Sequence, residues 1–410
     1  MPPRSDSGTD QFKFDLAAPP DWSFTAGDTI IGNLVRKTPI VTPEATITIS
    51  LRGSAQIEYF HKSTKNPTYH DYWNLLDPAQ QVLYKGPMHL AEGGDDTLSW
   101  PFSVDIPLSP IQSCTEGHQP DASFLPLEKG HREYQVLPGT FFAADTASNT
   151  RGFVEYFLIA HLNYKSKGRP ESFRSIHRVN VRNPPEVASN RHMTNTLYQS
   201  NIIQSYRLLP RMENMSLSLT QKMQRFWNPS IVPKCQYTVS LAIPTVIQLN
   251  DSDPIPVQLE IKKRPENTSV NLHDTPTKFQ VESVEMFIRS RTALSIPKKI
   301  SKSSEPTVYW NETDLNLGQA FKDLEDPLCI MTTIETDAVH IGKIFQLVLR
   351  PTGLFSEDRR LSEDTQDITP DFTTYCIKIN HVQRWEVNLN IAGESHKHVF
   401  WSDLKIATGL

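Results

Sequence analysis

Residues 46–58 read TITISLRGSAQIE, and this stretch decides the fold class. Ile47, Ile49 and Leu51 point to one side, while Thr46, Thr48 and Ser50 point to the other, which is the period-two signature of a half-buried strand. Gly53 then marks a bulge or the close approach of a neighbour. The same period runs through Val154, Tyr156, Leu158, Ala160 and Leu162. Phe157 and Ile159 make the second face of that run partly apolar, as in a strand with neighbours on both sides. Further strands are expected at 29–35, 98–106 and 175–181, each closed by Pro, Asn or Gly within a few residues. Helical periodicity is nearly missing from the first 180 residues. Strands spaced too tightly for intervening helices argue for antiparallel sandwiches and against a βαβ fold.

The chain of 410 residues is too long for one ordinary core, so two domains are expected. It holds 31 Pro against 17 Gly, a balance that disfavours helix interiors and suits strand edges and loops. Aromatic residues make up 9% and are spread throughout, which argues against disorder of the whole chain. After Asn183-Pro184-Pro185 the texture turns polar, and the two prolines force the backbone out of helical geometry. The division expected is therefore a flexible segment 1–21, a first β-sandwich 22–184, a linker 185–205 and a second β-sandwich 206–410.

In the second half, alternation resumes at 237–243, 255–261 and 284–288, with late strands at 343–349, 375–379 and 385–391. The segment 212–227 places Met212, Met215, Leu219, Met223 and Phe226 at helical spacing, although its SLSL alternates as a strand would. Its apolar face is expected to cover an edge of its own domain rather than a partner or a membrane. The acidic segment 356–371 and the polar segment 297–306 read as loops.

Set in order, FTAGDTIIGNLV (24–35), TISLRGSAQIEY (48–59), PFSVDIPLSP (101–110), LPGTFF (137–142) and GFVEYFLIAHL (152–162) resemble the amino-terminal domain of the arrestin family, especially the fungal α-arrestin-like proteins. The matching positions are Phe24, Gly27 and Asp28, then Gly32 and Val35, then Ile106 with Pro107, Leu137 with Pro138, and Val154 with Tyr156. Residues 233–244, IPVQLEI (255–261) and YCIKINHVQRWEVNLNIAGESHKHVF (375–400) are similar to the arrestin carboxy-terminal domain. The resemblance implies two Ig-like (arrestin-type) antiparallel β-sandwiches in tandem. It also implies an adaptor, recruited to plasma membrane or endosomes, that binds tails of membrane proteins or other cytosolic proteins; a cytoplasmic location is expected because MPPRSDSGTD carries no apolar secretory core and no stretch nears the roughly 18 apolar residues of a membrane span. A structural subunit of a retromer-type coat is the alternative on the same fold. The family's link to ubiquitin ligases runs through PPxY motifs, and none stands in this chain. Its nearest approach is Asn66-Pro67-Thr68-Tyr69.

Chemistry finds little foothold. GxSxG, GxxxxGK[ST], GxGxxG and HExxH are all missing, so no catalytic residue, cofactor or metal is expected. Cys114, Cys235, Cys329 and Cys376 lie far apart with no CxxC pair, and four packed thiols are expected. His396 and His398 would leave one face of a strand, but no third ligand can be named, so solvated histidines are the expectation. A net charge of -5 argues against nucleic acid as the main partner. The small clusters Lys298, Lys299, Lys302 and Lys262, Lys263, Arg264 read as loop solubility, with at most peripheral membrane contact. The candidate partner-binding residues are Arg174, Arg178 and Arg182, which share one parity and could pair with phosphorylated or acidic tails.

Overall fold

The computed structural model describes residues 12–60, 69–77, 79–92, 96–128, 136–145, 147, 149–166, 168–186, 193–212, 215–296, 306–332, 337–362 and 367–409. The fold is all-β, and its α-helices are short. By the contacts its residues make, the chain divides into two units. One comprises Met1–Pro184, Thr292–Tyr309 and Phe372–Ile379. The other comprises Pro185–Arg291, Trp310–Asp371 and Asn380–Leu410.

The first unit is built from β1 (Phe12–Leu16), β2 (Phe24–Thr25), β3 (Thr29–Arg36), β4 (Ile40–Tyr59), β5 (Tyr69–Asn74), β6 (Gln81–Leu90), β7 (Leu98–Asp105), β8 (Phe141–Asp145), β9 (Thr150–Ser166), β10 (Arg169–Val179) and β11 (Val181–Arg182). One sheet runs β1-β3-β7. The larger sheet has six strands in the order β10-β9-β4-β5, with β6 also on β4 and β8 also on β9. The odd-numbered side chains of β4, Ile47, Ile49, Ala55 and Ile57, are buried with Val154, Tyr156, Leu158, Ala160 and Leu162 of β9. Ile30, Leu34 and Phe102 of the smaller sheet join the same cores.

Gly53 is a site of close approach. A Cβ there would lie 2.5 Å from the Tyr156 ring, while the ladder to β9 runs on in register. The irregularities of β4 fall opposite β6 instead, between Thr42 and Ala45 and between Ile47 and Thr48. Residues 1–21 are not uniformly a loose segment, because Phe12–Leu16 pairs antiparallel with β3 and Phe12 is buried. The short alternation FKFDL becomes a strand once β3 offers it an edge.

The second half contributes β12 (Thr194–Gln204), α1 (Leu219–Trp227), β13 (Lys234–Pro244), β14 (Val246–Gln248), β15 (Gln258–Arg264), β16 (Thr277–Leu294), β17 (Thr307–Asp314), β18 (Leu328–Thr332), β19 (Val339–His340), β20 (Leu347–Arg350), β21 (Gly353–Ser356), β22 (Arg359–Arg360), β23 (Phe372–Thr373), β24 (Ile377–Ile391) and β25 (Glu394–Ala407). They form the sheets β12-β13-β15-β19, β14-β25-β24-β16-β17 with β18 on β16 and β23 on β24, and β20-β21-β22. Tyr237, Val239, Leu241, Leu259 and Ile261 share one core with Phe279, Val284, Met286, Trp385, Val387 and Leu389. The polar edge of Trp385 is satisfied there: its Nε1 donates to Gln383 Oε1 at 2.8 Å, and Gln383 Nε2 donates to Pro244 O at 2.6 Å.

Several expected boundaries move. The linker 185–205 contains β12, which pairs with β13 along its whole length. Only Ile203 in β12 is buried, so backbone pairing rather than an apolar face makes it a strand. The stretches 375–379 and 385–391 belong to one strand, β24, because the polar positions between them pair with β25. Residues 343–349 split into a helical turn, Ile341–Ile344, and β20. The acidic segment from Ser356 opens as a hairpin between β21 and β22. Residues 297–305, with Lys298, Lys299 and Lys302, and the Asn66-Pro67-Thr68 part of the near-PPxY stretch lie outside the described residues.

Candidate functional site

The even-numbered side chains of β4 stand on the outer face of the six-stranded sheet, and register carries the same face across β9 to β10. One row reads Arg52, Phe157, Arg178. The next reads Ser50, Ile159, Ile176, and the third Thr48, His161, Arg174. Two arginines of β10 and one of β4 thus flank a floor in which Phe157 and Ile159 are buried. Arg52 and Arg178 lie two strands apart, about 10 Å at ordinary strand spacing. Arg52 and Arg174 are exposed and Arg178 is half-buried.

The electrostatics of this face agree with its composition. Burial, then the charges of Arg174 and Arg52, push the His161 imidazole below its usual range, so it stays neutral beside the guanidiniums. The row beyond Arg52 holds an acid, Glu155, but that carboxylate is buried and accepts from Gln56 Nε2 at 2.9 Å. Gln56 also donates to Ser54 Oγ at 2.6 Å and meets His70 Nε2 at 2.8 Å, so the acid sits within a buried polar group.

Of the three arginines chosen from parity, the structure brings two together. Arg182 falls on β11, which leaves the large sheet after Val179 and pairs in parallel with β2, opposite Thr25. The backbone of Asn180, whose carbonyl accepts from Phe24 N at 2.9 Å, begins that departure. Arg52 and His161 join this face from β4 and β9, and neither was among the three residues of shared parity. Arg52 occupies the polar parity of a strand already recognised, and His161 the mixed second face of β9, but which strands are neighbours cannot be read along the chain.

The other candidates resolve differently. His398 is buried rather than solvated, and its Nε2 lies 3.2 Å from Tyr237 Oη. Burial, and secondly His396, lower its pKa to about 4. Among the described residues, no group of three His, Cys, Asp or Glu could hold a metal ion. Cys114, Cys235 and Cys376 are buried, while Cys329 is exposed because it faces outward on the short strand β18. Lys262, Lys263 and Arg264 do not form one patch. Lys263 is buried and donates to the carbonyls of Leu272 and Thr275, both at 2.5 Å, Lys262 pairs with Glu260, and Arg264 Nε donates to Thr238 Oγ1.

The segment 212–227 forms α1 over its last nine residues, and its apolar side does not cover the unit: Leu219, Phe226 and Trp227 are 79%, 84% and 80% exposed. Among the described residues, no helix is long and apolar enough to cross a membrane.

No protein-family model matches the chain, and no curated protein matches it. The arrestin resemblance therefore rests on the ordered local sequences between Phe24 and Phe400.

Proposed function

We propose that the chain is a non-catalytic adaptor of arrestin type, with Ig-like sandwich domains, that captures phosphorylated or acidic tails of membrane proteins on the outer face of β10-β9-β4. The observation that carries this reading is the convergence of Arg52, Arg174 and Arg178 on one sheet face around the Phe157 and Ile159 floor. Guanidiniums offer forked donors to phosphate and carboxylate, and such charge-assisted bonds are the strong ones. Recruitment to plasma membrane or endosomes would follow the cargo, and ubiquitin ligases would have to be reached by a route other than PPxY.

The test is fluorescence anisotropy with a phosphorylated peptide and its unphosphorylated counterpart. Arg174→Glu and Arg178→Glu should each weaken phosphopeptide binding tenfold or more, about 1.4 kcal/mol. Arg182→Glu, on its separate ladder, should change it little. Equal affinity for the two peptides, or indifference to both β10 reversals, would remove this face as the binding site.

A further inference from the structure

An ordinary surface helix turns its apolar stripe inward and its polar side to water. In α1 this is reversed. The helix is closed at its start by a capping box of its own, Ser218 Oγ accepting from Gln221 N at 3.2 Å and Gln221 Oε1 accepting from Ser218 N at 2.9 Å. It is tied to the unit by its polar side, through Gln224 Oε1, which accepts from Tyr206 Oη at 2.9 Å. Arg207 Nε holds the approach to the helix by donating to Met215 O at 3.0 Å. What faces outward is Leu219, Met223, Phe226 and Trp227, extended before and after the helix by Met215 and Ile231, all more than half exposed. Exposed apolar side chains gathered on one helix face in this way mark an interaction surface.

Charge selects the occupant. Residues 205–248 carry five Lys and Arg against a single Asp or Glu, in a chain whose net charge is -5. A second copy would bring the same basic segment against itself across a symmetric interface, which is repulsive. An anionic lipid surface attracts it. Phe, Trp, Leu and Met on one face, flanked by exposed Lys222 and backed by the half-buried Gln221 and Gln224, is also the composition of a helix that lies in a membrane interface. At nine residues α1 is about 13 Å long, so it can rest in the interface and cannot span it.

We propose that α1 is a membrane-interface anchor: it lies flat on an anionic bilayer, with Phe226 and Trp227 inserted among the headgroups and acyl boundary. This does not depend on the peptide-binding face of β10 and can fail separately from it.

The experiment is co-sedimentation of the full chain with vesicles of phosphatidylcholine alone and of phosphatidylcholine mixed with phosphatidylserine. Binding is expected to the mixed vesicles, weakened by added salt, and at least tenfold lower in the double variant Phe226→Ser, Trp227→Ser, about 1.4 kcal/mol. Both side chains are exposed, so the variant should keep its circular dichroism spectrum and melting temperature. Brominated acyl chains should quench tryptophan fluorescence in the wild type and quench it less in Trp227→Phe. No binding to either vesicle, undiminished binding by the double variant, or equal quenching in both proteins overturns the proposal. So does a concentration-dependent dimer that the double variant abolishes while vesicles stay unbound, since the face would then belong to a second copy.

Discussion

His398 on β25 shows how one buried side chain couples the fold to pH. Its imidazole packs edge-on against Tyr237, with ring centres 5.7 Å apart, and desolvation holds it neutral. In the unfolded chain a histidine takes up its proton near pH 6.5, whereas folded His398 resists until about 4. Its folded pKa is thus depressed. The stability of the neutral buried form is present above 6.5 and is lost as pH falls through the window from 6.5 to 4, because the unfolded state there binds the extra proton. Each such proton contributes a slope of about 1.4 kcal/mol per pH unit. His398→Gln should lower the slope of unfolding free energy against pH between 6.5 and 4 by most of that amount in urea titrations. An unchanged slope would show that His398 takes its proton in the folded state. The sequence spacing of His396 and His398 pointed correctly to one face of a strand, yet whether that face was wet or buried depended on Tyr237, more than 150 residues away in the chain.

At the scale of the element, β12 is the instructive case. Its eleven residues, TNTLYQSNIIQ, contain no charge and no proline, and among the described residues its outer edge has no strand partner. Long uncharged edges are templates for pairing with other chains. One side chain blunts this one in part: Asn201 Oδ1 accepts from Ile202 N at 2.8 Å. Tyr198, 66% exposed, leaves room for a stronger block. Tyr198→Lys should reduce concentration-dependent association in sedimentation velocity, with stability altered by no more than about 0.5 kcal/mol. If association is unchanged, the edge is not the contact. Alternation shows a strand only where one face is buried, so β12 stayed hidden while β4 and β9, with their apolar rows, were plain.

At the scale of the whole molecule, the first unit is not a continuous piece of chain. Its core includes Leu294, Ile296, Tyr375, Cys376, Ile377 and Ile379, all buried and all far beyond Pro184. Tyr375 stacks on Trp73, with ring centres 4.9 Å apart, and Phe124 N donates to Tyr375 O at 2.8 Å. Burying one such apolar side chain is worth about 1.5 to 3 kcal/mol, and an entire domain is stable by only about 5 to 15 kcal/mol. A fragment of residues 1–184, which lacks α1, should therefore fail to unfold cooperatively and should take up more of a hydrophobic dye than the full chain does. A fragment with a sharp melting transition like that of the intact protein would refute this.

Period-two patterning by itself determined the all-β class, the central strands β4 and β9, and the side chains that β4 and β9 turn into the core. That information is local, because successive side chains of an extended backbone alternate whatever lies beside them. Only the tertiary structure decided which strands are neighbours. It placed Arg52 in one row with Arg178 across β9, sent Arg182 to another ladder, supplied part of the first core from residues 292–296 and 375–379, and turned the apolar side of α1 outward. Those outcomes depend on pairing register and shared burial between residues distant in the chain, which no local spacing encodes.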